Sequence, residues 1–432
     1  MKDKAVERSA ALGKLQMADA TTLITDFSLL DPQTQSRPAP FYALLHKHCP
    51  VYRMPETGMY VITRYEDVRS VLRNTEQFSN DLTASRGINA GTYDVYQQIL
   101  KARGWGHVQT LQRTDPPRHG RYRRLLDEVF NVLQVKALTP HIAEVAHGLI
   151  DGFIDAGECE FVSQFALPLP GIIIAEQLGL NRNDVATFKK WADGILAPAM
   201  LVLSESELRA TAEIELEMQH FLAGMFEDRR SNPKADLISA LVNAKVAGEE
   251  SLSMHELQNL MHQLISGGYD TTISALANGL WLLLRHPEQM HKLRKNPNLL
   301  KGFVDESLRV ESPVQGLMRR ATCEVVVANV TIPRDSLVMV RYAAANLDEE
   351  KFVCPHQFDI ERQNAGAHLA FGNGVHFCVG RLLARQELMT GFEVLLSRLT
   401  DITLAAPLPD PPHHPSLLLH SMKTLPIRFA GR

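Results

Sequence analysis

The longest regular pattern of apolar positions predicts one long central helix. Leucine, methionine and isoleucine recur every three or four residues from Leu257 to Leu280, as on the buried face of an α-helix. Ser253 and Glu256 have the spacing of a capping box, which marks a helix start, and Pro287 cannot continue the helix. The predicted helix over residues 254–286 would be about 50 Å long, enough to cross a whole domain.

The middle of this predicted helix carries residues that form helices poorly. Residues 267–272 read Gly-Gly-Tyr-Asp-Thr-Thr, where helix propensity alone would favour alanine or leucine. A local rule broken inside a strong element often marks a functional site. Two glycines let a flat ligand approach the backbone, and Asp270 and Thr271 offer a carboxylate and a hydroxyl beside it. The alternative is a glycine-kinked core helix with a solvated polar face.

Shorter patterns predict a mainly α-helical fold with small β-sheets, of the α+β kind. Apolar stretches on either side of a proline–glycine turn predict a hairpin between residues 51–52 and residues 60–63. The valines at 325–327 and the apolar run at 338–340 are typical of strands. Residues 417–427 predict a further strand pair near the end of the chain.

Composition and charge exclude several classes of protein. The 432 residues carry a formal net charge of -4 with both signs interspersed, so we expect no binding to nucleic acid or anionic lipid. The five scattered cysteines argue against a disulfide framework and for a reducing compartment. The charged start lacks a signal-peptide pattern, and no uncharged apolar run approaches the length of about 20 residues that spans a bilayer. No linker or repeat divides the chain, so we expect one cytoplasmic domain over residues 1–432.

A single cysteine near the end of the chain lies in a glycine-rich loop. Residues 371–380 read Phe-Gly-Asn-Gly-Val-His-Phe-Cys-Val-Gly and run into an apolar helical pattern. Helix-start N–H groups, the helix dipole and a bound metal would each favour the thiolate of Cys378. Gly372, Gly374 and Gly380 allow positive φ angles and a loop that lies flat against a planar group. A lone cysteine fits a haem iron better than zinc or an iron–sulfur cluster, the alternative being a buried structural cysteine.

This loop resembles the haem-binding loop of cytochromes P450, whose pattern Phe-x-x-Gly-x-His/Arg-x-Cys-x-Gly is filled at every position. The resemblance extends from about residue 39 to residue 429 and leaves about residues 1–30 as a candidate flexible segment. It implies the cytochrome P450 fold, with haem b between the central helix and the helix that follows Cys378. Cys378 would be the axial ligand of the iron.

The resemblance also implies roles for other residues. Residues 267–272 resemble the family's oxygen-activation motif, with Asp270 and Thr271 as the acid–alcohol pair. Residues 115–124 resemble the family's Asp-Pro-Pro-x-His-x-x-x-Arg segment, although His119 alone would be read as a surface residue. The expected contacts to the haem propionates are His119, Arg123, Arg319 and His376. The other expected haem contacts are Gly267, Gly268, Phe371, Gly372, Cys378, Gly380 and Ala384.

Two further sets of charged residues follow from the same resemblance. Glu306 and Arg309 would be the family's buried ion pair, with either His356 or Arg362 as its third member, since Gln357 stands where arginine is frequent. Four arginines on the helices near the haem either form a positive face for an acidic redox partner or are ordinary solvated charges: Arg121, Arg124, Arg381 and Arg385.

The substrate should be apolar, because the segments assigned to it by analogy are mostly apolar. Tyr269 and Gln315 are candidates for polar orientation of the substrate, unless Tyr269 faces the core. The assigned contacts are residues 84–111, Leu264, Ile265, Gly268, residues 314–318 with Val314 and Gln315, Leu417 and Leu418.

Together these features predict a monomeric haem-thiolate monooxygenase that uses O2 to oxidise a hydrophobic small molecule. The sequence contains no Gly-x-Gly-x-x-Gly fingerprint and no iron–sulfur cysteine cluster. Electrons from NAD(P)H are therefore expected to arrive through a ferredoxin reductase and a ferredoxin. Two alternatives remain, a peroxygenase that uses hydrogen peroxide directly and a non-catalytic haem sensor or carrier.

Overall fold

Helices dominate the computed structural model, which describes residues 24, 26–82, 93–180, 184–200, 203–244, 250–408 and 410–431. The predicted flexible segment therefore lies mostly outside the described residues. The α-helices in the described part are α1 (Pro32–Ser36), α2 (Ala39–His48), α3 (Tyr65–Arg73), α4 (Tyr93–Arg103), α5 (Arg118–Val129), α6 (Val132–Asp151), α7 (Pro168–Gln177), α8 (Val185–Met200), α9 (Glu205–Ser231), α10 (Leu237–Asn243), α11 (Met254–Arg285), α12 (Pro287–Lys295), α13 (Leu300–Val310), α14 (Tyr342–Ala345) and α15 (Arg381–Arg398).

The strands form small sheets at the edges of the helical region. A five-stranded sheet has the order β1-β2-β8-β5-β3, a three-stranded sheet the order β4-β10-β9, and β6 pairs with β7. The strands are β1 (Val51–Arg53), β2 (Tyr60–Ile62), β3 (Phe78–Ser79), β4 (Glu158–Glu160), β5 (Leu317–Ala321), β6 (Val325–Val327), β7 (Val330–Ile332), β8 (Leu337–Val340), β9 (Leu399–Leu404) and β10 (Pro426–Gly431).

The predicted hairpin is confirmed. Of the predicted strand pair over residues 417–427, only Pro426 and Ile427 belong to a strand, β10, while Leu419 and Met422 form isolated antiparallel bridges. Strands β1 and β2 pair antiparallel with Val51 opposite Ile62. In the C-terminal segment, the hydroxyl of Ser416 accepts hydrogen bonds from the backbone N–H groups of Leu418 and Leu419 at 3.2 and 3.1 Å. These N–H groups turn toward a local side chain instead of a ladder partner, which is how serine competes with regular structure.

The predicted central helix is α11, and its start and end follow the expected chemistry. The backbone N–H of Glu256 donates to the hydroxyl of Ser253 at 3.3 Å, and the carboxylate of Glu256 accepts from the N–H of Ser253 at 2.9 Å. This reciprocal capping box satisfies two N–H groups that the helix leaves unpaired. The helix ends at Arg285, and Pro287 begins α12.

Helix α15 lies beside α11 and carries the cysteine loop at its N-terminus. Gly279 in α11 brings the two helices together, since a Cβ atom there would lie 2.8 Å from the side chain of Phe392 in α15. Leu276 and Leu395 are fully buried in the main core. Within the described ranges, no helix combines the length and the apolar composition that crossing a bilayer requires.

Candidate active site

Positive backbone angles shape the cysteine loop at two of its glycines. Gly372 has φ of 72° and Gly374 has φ of 74°. A Cβ atom on Gly374 would lie 2.5 Å from the carbonyl oxygen of Leu72, so the loop packs against α3 only because that side chain is absent. The expectation for Gly380 is wrong, because Gly380 has φ of -80° and caps α15 with ordinary backbone geometry.

Cys378 lies at the entrance of α15 in a half-buried position. Its backbone N–H donates to the carbonyl of Phe371 at 2.9 Å, which closes the loop. Burial raises the pKa of the Cys378 thiol, while the N–H group of Gly380 and the guanidinium of Arg381 oppose that rise without overcoming it. The helix-start N–H groups alone therefore do not keep the sulfur ionised, and a bound metal ion would supply the missing positive charge.

The four residues predicted to contact the propionates lie together beside this loop. His119 on α5 and Arg319 on β5 are buried, with 3% and 4% exposure. The imidazole rings of His119 and His376 lie 4.2 Å apart, and the Nε2 atom of each is buried without a hydrogen-bond partner. Arg123 donates to the carbonyl of Phe377 inside the loop.

Arg123 and Arg319 supply the positive charge of this group of four residues. Arg123 pairs with Asp127 on the same helix, with Nε 2.9 Å from Oδ1. The guanidinium of Arg319 donates to the carbonyl of Met318 at 2.8 Å and to the Tyr342 hydroxyl. Among the described residues, no carboxylate forms an ion pair with Arg319. Burial first, and then the neighbouring His119, Arg319 and Arg123, lower the pKa of His376 to about 3, so its imidazole is neutral. A buried cation normally has an anionic partner, so Arg319 fits a group that brings carboxylates, as haem does.

Glycines leave open space on both sides of the expected haem plane. A Cβ atom placed on Gly267 in α11, or on Gly380 before α15, would have no protein atom within 4 Å. On Gly268 it would lie 3.4 Å from Ile174. Phe371 and Ala384 are partly exposed on the cysteine side, whereas Gly372 is buried within the loop. A planar group thus has room between the two helices.

Asp270 and Thr271 lie on the same stretch of α11. The hydroxyl of Thr271 donates to the carbonyl of Gly267 at 2.7 Å, the local bond expected for threonine inside a helix. Burial, reinforced by the negative charge of Asp193 and opposed by Lys189, raises the pKa of Asp270 to about 6. Asp270 can therefore take up or release a proton near neutral pH.

The predicted substrate contacts divide into accessible and buried residues. Leu264, Gly268, Val314 and Leu417 are half-buried and keep accessible surface. Ile265 is 0% exposed in the main core, so it cannot contact a ligand, and its assignment is corrected. Periodicity identifies the apolar face of a helix but not which apolar residues face a neighbouring helix. Of the predicted contact segment, residues 84–92 lie outside the described residues.

The two candidates for polar orientation of a substrate are directed into the protein. Tyr269 is 1% exposed and packs edge-on against Phe188, with ring centroids 5.2 Å apart. The amide oxygen of Gln315 accepts from the Tyr42 hydroxyl at 2.7 Å, and its nitrogen donates to the carbonyl of Ser312 at 2.8 Å. Both side chains are therefore structural, which corrects that interpretation.

Glu306 and Arg309 form a fully buried ion pair with Arg362 as its third member. Nε of Arg309 lies 2.7 Å from Oε2 of Glu306, and both side chains are 0% exposed. Nε of Arg362 donates to Oε1 of Glu306 at 2.9 Å. The carbonyl of Gln357, not its side chain, accepts from both arginines.

Two of the four arginines considered for a redox-partner surface form ion pairs within the protein. Arg121 pairs with Glu256, which binds it into the helix cap of α11. Arg385 pairs with Asp305 at 2.8 Å and also lies 3.5 Å from His368. The contact with Asp305 could not be predicted from the sequence, because the two residues belong to distant helices without a shared motif. These two arginines are not available for a partner surface.

The matches with known proteins cover nearly the whole chain. A family model described as Cytochrome P450 matches residues 180–426, which include α11 and the cysteine loop. The cytochrome P450 monooxygenase PikC of Streptomyces venezuelae is 33% identical over 96% of this chain and 96% of its own length. The 6-deoxyerythronolide B hydroxylase of Saccharopolyspora erythraea is 31% identical, covering 90% of this chain and 95% of the relative.

Solved structures agree with these relatives. The structure of cytochrome P450 CYP109Q5 from Chondromyces apiculatus superposes with a TM-score of 0.82 at 33% sequence identity. The match covers 94% of this chain and 98% of that chain.

Proposed function

This chain belongs to the cytochrome P450 family, has its fold and is a P450 monooxygenase; from this premise we propose that Cys378 holds the iron of haem b. The supporting observation is the position of Cys378 beside the buried Arg319, which forms no ion pair among the described residues, and beside two imidazole nitrogens without hydrogen-bond partners. Bound haem supplies the binding and activation of O2, and a thiolate ligand favours O–O cleavage. The product carries one oxygen atom inserted into a C–H bond.

The residues around Cys378 would hold the two carboxylates and the flat faces of the cofactor. His119, Arg123, Arg319 and His376 offer nitrogen donors to the propionates, and charge-assisted hydrogen bonds of this kind are stronger than neutral ones. The faces would lie against two groups of small or apolar residues: Gly267 and Gly268 on one side, and Phe371, Gly372, Gly380 and Ala384 on the other.

Asp270 and Thr271 would manage protons on the oxygen side. The raised pKa of Asp270 suits a group that receives a proton from solvent and passes it on near neutral pH. Asp193 and Lys189 lie on α8, interact electrostatically with this carboxylate and are both exposed. The Thr271 hydroxyl can exchange its bond to the Gly267 carbonyl for a bond to bound water.

The substrate would be a hydrophobic small molecule. Leu264, Val314 and Leu417 offer accessible apolar surface near the glycines of α11. One relative is by name a hydroxylase of 6-deoxyerythronolide B, and terpenoid, steroid, fatty acyl and aromatic skeletons fit the same apolar surface. We assign electron delivery to NAD(P)H through a ferredoxin reductase and a ferredoxin, with the chain working as a cytoplasmic monomer in a single domain.

The test compares two neighbouring threonines that make the same helix bond. Thr271 donates to the carbonyl of Gly267, and the buried Thr272 donates to that of Gly268 at 2.9 Å. A panel of hydrophobic compounds, screened by the shift of haem absorption, first provides a substrate. With a ferredoxin system, Thr271→Ala should divert electrons from product to peroxide or water, whereas Thr272→Ala should keep the product yield per O2 consumed.

Equal product yields in the two variants would contradict the role of Thr271. Faster product formation with hydrogen peroxide than with the ferredoxin system would instead identify a peroxygenase. A wild-type chain that binds haem but oxidises no compound under either condition would favour the sensor or carrier.

A further inference from the structure

A buried carboxylate on α9 lies at the centre of a polar cluster that the proposed reaction does not use. Glu215 is 1% exposed. Its Oε2 atom accepts from the Tyr96 hydroxyl. Its Oε1 atom faces Nε2 of His107 at 2.7 Å, Nε2 of Gln219 at 3.1 Å and Nδ1 of His262 at 3.3 Å. Four donors thus meet the roughly four acceptor positions that an ionised carboxylate offers.

The side chain of Gln97 fixes where His107 carries its proton. The backbone N–H of His107 donates to the amide oxygen of Gln97 at 3.0 Å, so the amide nitrogen is the atom that lies 2.9 Å from Nδ1 of His107. An amide nitrogen can only donate, hence Nδ1 accepts and Nε2 bears the proton. His107 is therefore a neutral donor to Glu215.

This proton position also argues against a metal ion among His107, Glu215 and His262, whose ligand atoms all lie within 4.8 Å of one another. A metal on Nε2 would move the proton of a neutral His107 to Nδ1. There it would face the amide nitrogen of Gln97, which cannot accept it. The geometry favours a hydrogen-bonded anion over a metal site.

His262 is the group that can balance the buried negative charge. Within the described ranges, the ion-pair partners of Glu215 are histidines and not lysine or arginine. The nearby Arg103 and Lys190 pair with other, exposed carboxylates on α9. Burial raises the pKa of Glu215, but the neighbouring His262 and the hydrogen bonds from His262 and His107 outweigh burial and hold that pKa well below its ordinary value. Glu215 therefore stays ionised near neutral pH.

The cluster fastens one chain segment to α11. Tyr96 and His107 belong to residues 93–113, which comprise α4 and the loop after it. Gln263, next to His262, donates to the hydroxyl of Thr110 at 2.9 Å and accepts from the N–H of Gln112 at 3.0 Å. A few residues later the chain reaches α5 and His119.

We infer that Glu215 is a positioning residue whose hydrogen bonds with Tyr96, His107 and His262 fix residues 93–113 on α9 and α11 and so set the pocket wall that leads to His119. The identity of that pocket rests on the proposed function, while the fastening of the segment does not. A buried charge that loses its partner is strongly destabilising locally. Loss of the Glu215 carboxylate or of its contact with His262 should therefore loosen this segment before the rest of the fold.

Hydrogen–deuterium exchange of the holoprotein, read by mass spectrometry as protection factors, tests this inference. Glu215→Gln places an amide nitrogen among four donors, and His262→Gln replaces the imidazole by a flexible amide. Each should lower protection of residues 93–113 by about tenfold, as for a lost charged hydrogen bond, and leave α15 unchanged. Glu227→Gln on α9 and His255→Gln on α11 are exposed controls and should behave like wild type.

Three results would overturn the inference. Unchanged exchange in Glu215→Gln would remove the positioning role, and a uniform increase over the whole chain would reduce it to general stability. Protection of residues 93–113 by added Zn²⁺ in wild type, lost in His262→Gln, would show a metal site instead. A wild-type chain that bound no haem would contradict the proposed function but leave the exchange result meaningful.

Discussion

Replacing Arg309 by lysine should strongly destabilise the protein, even though lysine keeps the positive charge. The Arg309 guanidinium donates five hydrogen bonds. Two go to the carboxylate of Glu306 at 2.7 and 2.8 Å. Three go to the carbonyls of Asn346, Pro355 and Gln357 at 2.8, 2.8 and 3.2 Å. Both charged side chains are 0% exposed, so water cannot replace a missing donor.

The magnitude follows from counting donors. Lysine has three N–H donors, so Arg309→Lys loses at least two of the five hydrogen bonds, although Arg362 still donates to Oε1 of Glu306 and to the carbonyl of Gln357. Each hydrogen bond to a charged group is worth about 1.5–3 kcal/mol, which gives a loss of about 3–6 kcal/mol in the free energy of unfolding. Arg362→Lys is the matched control, because the Arg362 side chain keeps 10% exposure and water can reach its carbonyl partners. We expect it to cost roughly 1 kcal/mol.

Urea unfolding of the holoproteins, followed by circular dichroism and by haem absorption, measures both losses. The reasoning requires a lower midpoint for Arg309→Lys than for Arg362→Lys, with similar slopes. A loss in Arg309→Lys no larger than that in Arg362→Lys would refute the donor count as the origin of the stability of this cluster.

Two further changes test buried features of the fold. Burial raises the pKa of Glu387 from 4.5 to about 8. Between these pH values the Glu387 carboxyl keeps its proton in the folded protein and loses it in the unfolded chain. The free energy of unfolding of wild type, relative to that of Glu387→Gln, should therefore fall by up to about 5 kcal/mol between pH 4.5 and 8. Parallel stability curves, measured by urea unfolding at each pH, would contradict this. Gly374→Ala should lower the free energy of unfolding by about 1–3 kcal/mol through its positive φ, and by more through the contact with Leu72. The control is Gly224→Ala on α9, where no atom lies within 4 Å of the added Cβ; it should be neutral or stabilising by about 1 kcal/mol. Equal melting temperatures for the two variants would contradict the predicted clash between a Cβ at position 374 and the carbonyl of Leu72.

Local chemistry explains which parts of the fold the sequence predicted. The capping box at Ser253 and the proline at 287 act on neighbouring residues, so α11 was predicted to within one residue of its end. The hairpin of β1 and β2 likewise depends on a short turn. The segment from 417 to 427 shows the limit, because a single serine hydroxyl diverts backbone N–H groups that an apolar pattern assigns to a strand.

The remaining features depend on contacts between residues far apart in the chain. Arg362 completes the Glu306 pair, and nothing in its surrounding sequence distinguishes it from His356. Ile265 belongs to the apolar stripe of α11 but faces the core, which only the neighbouring helices decide. The cluster around Glu215 joins three separate segments without a motif, so only the folded chain reveals it.

The central claim is that the sulfur of Cys378 is bonded to haem iron, and iron-edge X-ray absorption of the purified holoprotein tests it most directly. We predict a sulfur neighbour of the iron in wild type and in Cys354→Ser, whose cysteine is exposed elsewhere on the surface. In Cys378→Ser that sulfur signal should disappear. A sulfur neighbour that persisted in Cys378→Ser, or an iron with only nitrogen and oxygen neighbours in wild type, would contradict the account.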